Sequence, residues 1–142
     1  MAVTQALTTS FKAEILQAVH NLAANGDTFK IALYSSSANI SSSTAFYTTD
    51  GEISGGSYVT GGKALTNLGV SSSGTVAYTS WDNAVWANAG FSAAGALIYN
   101  ASKGNKSVAV LNFGGTYTWD STATATITFP ANNSTTAVVI IN

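Results

Sequence analysis

TSFKAEILQAVHNLAANGDTFKIALY, residues 9–34, holds the only strong helical pattern in the chain and runs through a turn into a strand. Phe11, Ile15, Val19 and Leu22 recur at helical spacing, with Lys12, Glu14, Gln17 and Asn21 on the opposite face. The spacing predicts a helix over about residues 9–24. Thr8, Thr9 or Ser10 offers the N-cap oxygen, and Asn25-Gly26 offers the left-handed residue that usually closes a helix. Phe29, Ile31 and Leu33 then alternate with Lys30, Ala32 and Tyr34 at strand period. No later segment has a comparable helical pattern, so the chain reads as one helix on a β-rich body.

Outward from that stretch, residues 1–8 read as an arm or an early extension of the helix. Residues 35–57, SSSANISSSTAFYTTDGEISGGS, form a long irregular connection anchored by Ile40, Phe46, Tyr47 and Ile53. A connection of that length is either a functional element or a loop packed over the sandwich edge by Phe46 and Tyr47. Strand-like runs follow at 58–60, 63–70, 75–81, 93–99, 107–113, 122–129 and 137–141. Turn signals at Gly61-Gly62, Ser73-Gly74, Gly104-Asn105 and Gly114-Gly115 separate them. In 122–129, TATATITF, residues Ala123, Ala125, Ile127 and Phe129 point inward and the threonines outward, as in a half-buried antiparallel strand. The apolar run at 137–141 belongs in a sheet interior or beneath a covering element. A single open sheet would leave an apolar face bare. The expectation is therefore one mainly β domain: a jelly-roll-like, two-sheet antiparallel β-sandwich with one N-terminal α-helix.

Composition excludes several functions. Five lysines, at positions 12, 30, 63, 103 and 106, are scattered and there is no arginine, so the clustered cations that nucleic-acid binding needs are missing. No cysteine is present for disulfide, thiolate or zinc chemistry. The N-terminus does not read as a signal peptide, and no run of about 18 apolar residues predicts a membrane-spanning helix. Only 8% of residues are charged and the formal net charge is -1, against about 25% charged in ordinary domains. Copies of such a chain repel one another little, which suits an assembly; polar uncharged surfaces also suit a secreted adhesive domain.

Chemistry is sparse. His20, the only histidine, falls near the end of the expected helix, where the dipole favours a protonated ring. Serines are so abundant that one falling beside His20 and an aspartate would not mark a Ser-His-Asp arrangement, and no nucleophile elbow, P-loop, HExxH or dinucleotide fingerprint occurs. Asp50-Gly51-Glu52 brings two carboxylates close in sequence, as a glycosidase pair or calcium loop would begin, but the triplet reads more simply as a turn. No catalytic residue, metal ligand or cofactor is expected. Trp81, Trp86, Trp119, Tyr117, Tyr47 and Tyr58 offer material for a sugar platform, although Trp81 and Trp86 read as core anchors. Trp119, in GGTYTWD, is the best candidate for a solvent- or partner-facing aromatic.

SFKAEILQAVHNLA, DTFKIALYSSSA, YTTDGEISGGSYVTGGKAL, WDNAVWANAGFSAAGALIYNASKGNKSVAVLNFGG and the closing TITFPANNSTTAVVIIN together resemble a family of small phage virion structural proteins, of capsid cement or decoration type. The resemblance spans nearly the whole chain. One departure is Ala94, where the family pattern often has a basic residue just before GALIYN. The resemblance implies a non-enzymatic bacteriophage capsid decoration protein on the outer surface of the virion. Its implied partners are the major capsid protein and further copies of itself, as a dimer or trimer, with no nucleic acid and no membrane. Interface residues are expected from the N-terminal arm, the 35–57 loop and the 114–121 loop, with Phe46, Tyr47, Tyr117 and Trp119 as candidates. The alternatives are a tail- or fibre-associated virion protein and a carbohydrate-binding adhesive domain.

Overall fold

The computed structural model describes residues 2–142. A two-residue strand β1 (Ala6–Leu7) leads into helix α1 (Thr9–Leu16) and strand β2 (Phe29–Tyr34). Then follow β3 (Lys63–Ala64), β4 (Asn67–Ser73), β5 (Val76–Trp81), β6 (Ala84–Trp86) and β7 (Phe91–Asn100). A short 3-10 turn (Ala101–Lys103) precedes β8 (Lys106–Trp119), β9 (Ala125–Ile127) and β10 (Val139–Ile141). All strand pairings are antiparallel. They form a five-stranded sheet in the order β1-β8-β7-β2-β3, a three-stranded sheet β10-β5-β4 and a two-stranded sheet β6-β9. The chain is thus mainly β with one helix, divided among three sheets where two were expected.

The helix is half the expected length. Thr8 is its N-cap, with Oγ1 accepting from the Phe11 amide at 3.4 Å. The helix closes at Leu16 because Ala18 turns left-handed at φ 59°. Ala18 N–H donates to the Ile15 carbonyl and Val19 N–H to the Glu14 carbonyl, the paired bonds that satisfy a helix C-terminus. An alanine in this conformation costs about 1 kcal/mol. In return the reversal carries His20 back under the helix, its ring 5.0 Å from Phe11 and 6.4 Å from Phe29 by centroids. His20 therefore lies outside the helix and is buried, not at a dipole-stabilised terminus. Asn25-Gly26 ends no helix.

The five-stranded sheet is covered on both faces, which explains why nearly every residue of β2 and β7 is buried. On one face Phe29, Ile31, Leu33, Ala96 and Ile98 share a core with Phe11 and with Trp81, Trp86, Ile127, Phe129 and Val139 from the two smaller sheets. On the other, Ala32, Tyr34, Leu97, Tyr99 and Val110 pack beneath Val3, Ala38, Ile40 and Tyr47. The 35–57 segment is thus a wall of the molecule, tied down by Ile40 and Ala38, both almost fully buried. Phe46, expected to help pack it, stays 52% exposed.

Other strand boundaries move for identifiable reasons. Residues 58–60 form no strand. The 63–70 run divides into β3, which pairs with β2, and β4, which pairs with β5, so this segment switches sheets at Leu65 and Thr66. At Gly62 a Cβ would stand 1.8 Å from the Ile31 carbonyl oxygen, and φ is 75°, so only glycine fits that corner. Strand β8 continues through Gly114-Gly115, which the sequence marks as a turn. Its register against β7 passes from Gly95↔Asn112 to Ala93↔Tyr117, so five steps on β8 oppose two on β7 and three extra residues bulge outward. Only Ala125–Ile127 of the 122–129 run is ladder-paired, yet its alternation holds, with Ala125, Ile127 and Phe129 buried and the threonines exposed. β10 is an edge strand, so of the two positions expected for this run the sheet interior is excluded; Val139 is buried and Ile141 is 53% exposed.

Candidate functional site

Three clusters gather the chain's functional side chains. The first surrounds His20, whose side chain is fully buried. The Asn100 amide nitrogen lies 2.9 Å from His20 Nδ1 and 2.9 Å from Asp27 Oδ2, and Asn100 Oδ1 accepts from the Ser102 amide at 3.0 Å. That orientation makes Nδ1 an acceptor and leaves Nε2–H to donate to Glu14 Oε1 at 3.1 Å. Lys106 pairs with Glu14 Oε2 at 3.1 Å, and Lys103 approaches Asp27 at 3.8 Å. Burial pushes both carboxyls up, but the opposing hydrogen bonds and cations win. His20 and Lys106 hold Glu14 below its ordinary 4.5, and the Asn21 amide, Asn100 and Lys103 hold Asp27 below 3.8. With both ring nitrogens engaged and no solvent access, His20 has no means of reaching a substrate. The cluster pins α1 to the β2–β7 end of the sheet.

The second cluster centres on Glu52. Its Oε2 accepts from Tyr47 Oη at 2.7 Å; its Oε1 accepts from Tyr58 Oη at 2.6 Å and from the Gly61 amide at 2.7 Å. Tyr99 donates to the Gly61 carbonyl and Tyr34 to the Thr48 carbonyl, each at 2.6 Å. Tyr47 stacks on Tyr99 at 4.7 Å. Burial and the Glu52 charge push the Tyr99 phenol up to about 12, and Tyr34, Tyr47 and Tyr58 higher still. Glu52 is committed to these donors and Asp50 is exposed, so the Asp50-Gly51-Glu52 triplet does not form a pair of free carboxylates facing a cleft. Among the described residues no group of three or more His, Cys, Asp or Glu gathers that could hold a metal ion.

The third cluster is a groove of about 730 Å³ between the β1–β8 edge and the chain around β9 and β10. Residues 5–7, 109–113, 126–130 and 136–138 form its walls, with Tyr117 and Trp119 at one end. Tyr117 and Trp119 sit two apart on β8, ring centroids 6.3 Å apart, and buried Phe91 braces the indole edge-to-face at 5.6 Å. Tyr117 is 53% exposed. No residue lining the groove is charged.

The four candidate interface residues thus separate. Tyr117 and Trp119 share the groove. Tyr47 turns inward to Glu52 and Tyr99, whereas Phe46 lies on the surface beneath Lys106, whose Nζ is 5.2 Å from the ring centroid. Lys106 and Trp119 are the two ends of β8, roughly 30 Å apart at strand rise after allowing for the bulge. Trp81 and Trp86 are core residues, 2% and 4% exposed. Sequence reasoning missed Asn100 and Glu52 as organising residues. The polar Asn100 at the end of the apolar run GALIY was the available signal for the first. Among the described residues no helix is long and apolar enough to cross a membrane. Family models, curated proteins and solved structures each yield no match to this chain.

Proposed function

We propose that this protein is a bacteriophage capsid decoration (cement) protein, a non-enzymatic clamp that bridges neighbouring capsomers on the outer surface of an icosahedral head. The sequence resemblance supplies the virion setting, and a jelly-roll-like pairing of the sheets belongs to the same reading. The observation that carries it is the placement of large apolar side chains on a nearly uncharged surface. Leu16 on α1 is 88% exposed and Phe46 is 52% exposed, on a chain with 8% charged residues. Both sit on elements that meet at the start of β8, where Lys106 reaches Glu14 of α1 and Phe46, and the Thr9 amide donates to the Ser42 carbonyl. Large apolar groups left exposed favour contact with a protein partner, and weak charge lets copies crowd onto one shell.

In this reading the Phe46 end faces the major capsid protein, with dimeric or trimeric contacts between copies. The clamp adds buried area where capsomer contacts are weakest as the shell fills with genome. An interface of standard size, about 1,600 Å², suffices when many copies act together. Uncharged contacts lose little to salt. The test is the copy number of this protein in purified virions, measured against the major capsid protein. A ratio near one per capsid subunit, or a simple fraction of it, supports the clamp. A few dozen copies or fewer moves the protein to the tail or fibre, and absence from the virion ends the reading.

A further inference from the structure

We infer that the groove at the Trp119 end of β8 is a binding site for a neutral carbohydrate, an oligosaccharide without carboxylate, sulfate or phosphate groups. Its volume of about 730 Å³ lies within the range of ligand clefts. The exposed Tyr117 and the half-buried Trp119 at one end offer π-faces to the C–H face of a sugar ring, and Phe91 holds the indole in place from the core side.

The polar groups fit the same ligand class. Gln5 Oε1 accepts from the Asn112 amide, but its side-chain nitrogen takes no partner among the described residues. Nor do Tyr117 Oη, the Trp119 indole N–H or the hydroxyls of Thr126 and Thr128, all in the groove lining. Uncharged donors and acceptors beside aromatic faces match sugar hydroxyls, which are themselves uncharged. An acidic glycan or phosphate would enter with no cation to meet it.

An extended peptide added to the β8 edge is the less favoured occupant, because side chains already cap that edge. Besides the Asn112 amide on Gln5, the Gly114 amide donates to Asn112 Oδ1 at 2.9 Å, and Asn112 Nδ2 donates to the Val3 carbonyl. A strand seeking backbone partners there finds the Asn112 and Gly114 amides already taken.

The full chain, labelled with nitrogen-15, is titrated with maltotriose, mannotriose, galactotriose, chitotriose and, for contrast, a sialylated trisaccharide, at low and high salt. The expected result is a saturable shift of the Trp119 indole signal by at least one neutral sugar, unchanged by salt, with the Trp81 and Trp86 indoles unmoved. Tyr117→Ala is expected to weaken that binding about tenfold or more, and the unshifted Trp81 and Trp86 signals report that the variant is folded. No shift with any neutral sugar overturns the inference, as does binding of the sialylated sugar alone or binding that Tyr117→Ala leaves intact. Should Tyr117→Ala unfold, the wild-type shift map decides: perturbations away from the groove overturn the site. Because the titration uses free protein, its failure is separate from failure of the virion reading, which rests on copy number.

Discussion

Tyr47, Tyr58 and Tyr99 around Glu52 and Tyr117 with Trp119 in the groove are aromatic groups of similar size in opposite states, although Phe91 touches both Tyr58 and Trp119. Around Glu52 every phenol donates to a carboxylate or carbonyl, and the rings are stacked and largely buried. In the groove the rings are exposed or half-exposed, and their polar atoms have no partner among the described residues. A satisfied cluster has spent its hydrogen-bonding capacity on holding the fold, whereas an unsatisfied one retains it for something outside the chain. The contrast is one of bonding state, and sequence composition does not distinguish the two.

Substitution is expected to break the two groups unequally. Glu52→Ala leaves Tyr47, Tyr58 and the Gly61 amide without their acceptor, and urea denaturation should register a loss of about 3–5 kcal/mol. A loss below about 1 kcal/mol would mean that the 35–57 wall stands without Glu52. The same cluster has an alkaline signature: Tyr34, Tyr47, Tyr58 and Tyr99, four of the six tyrosines, ionise only above the ordinary range for a phenol. A single absorbance transition near pH 10 accounting for all six would contradict that geometry.

The His20 cluster is a second satisfied site, and its expected effects are intermediate. Asn100→Ala removes the group that links His20, Asp27 and the Ser102 amide, for a loss of about 2 kcal/mol in chemical denaturation. Acid acts on the same groups. Glu14 and Asp27 have folded values below their ordinary 4.5 and 3.8, so they bind protons more readily when unfolded. Their contribution is complete above those ordinary values and is lost as pH falls through the folded ones. Denaturation midpoints measured from pH 6 down to about pH 2 should decline, and by less in Glu14→Gln. At the groove, Tyr117→Ala should change stability by less than about 0.5 kcal/mol; a larger loss would place Tyr117 with the structural aromatics.

Much of the architecture was legible where pattern is local. The alternation in TATATITF showed which residues face the core, that in FKIALY separated the two faces of β2 but not that both are buried, and Trp81 and Trp86 read as anchors because they flank strand patterns. The helix end was not legible. Ala18 is a strong helix former, and only the distant partners Asn100 and Phe29 repay its left-handed turn. Gly114-Gly115 misled for the opposite reason, since glycines that permit a turn also permit a bulge. Edge position for β10 was hidden as well, because an apolar run shows burial potential but not which neighbours arrive. At the groove, Tyr117 and Trp119 were identifiable by type and by their glycine-rich setting. Their uncharged surroundings were not, because residues 5, 126 and 138 are brought to them only by folding.

The bulge in β8 has a use in engineering. Pairing with β7 resumes on both sides of residues 113–116, so strand register there is independent of how many residues the bulge contains. A Cβ built on Gly114 or Gly115 meets nothing within 4 Å. A foreign epitope spliced between these two glycines would lengthen a protrusion without shifting either ladder. If the protein coats a particle in many copies, that one splice would yield a dense, regularly spaced antigen array.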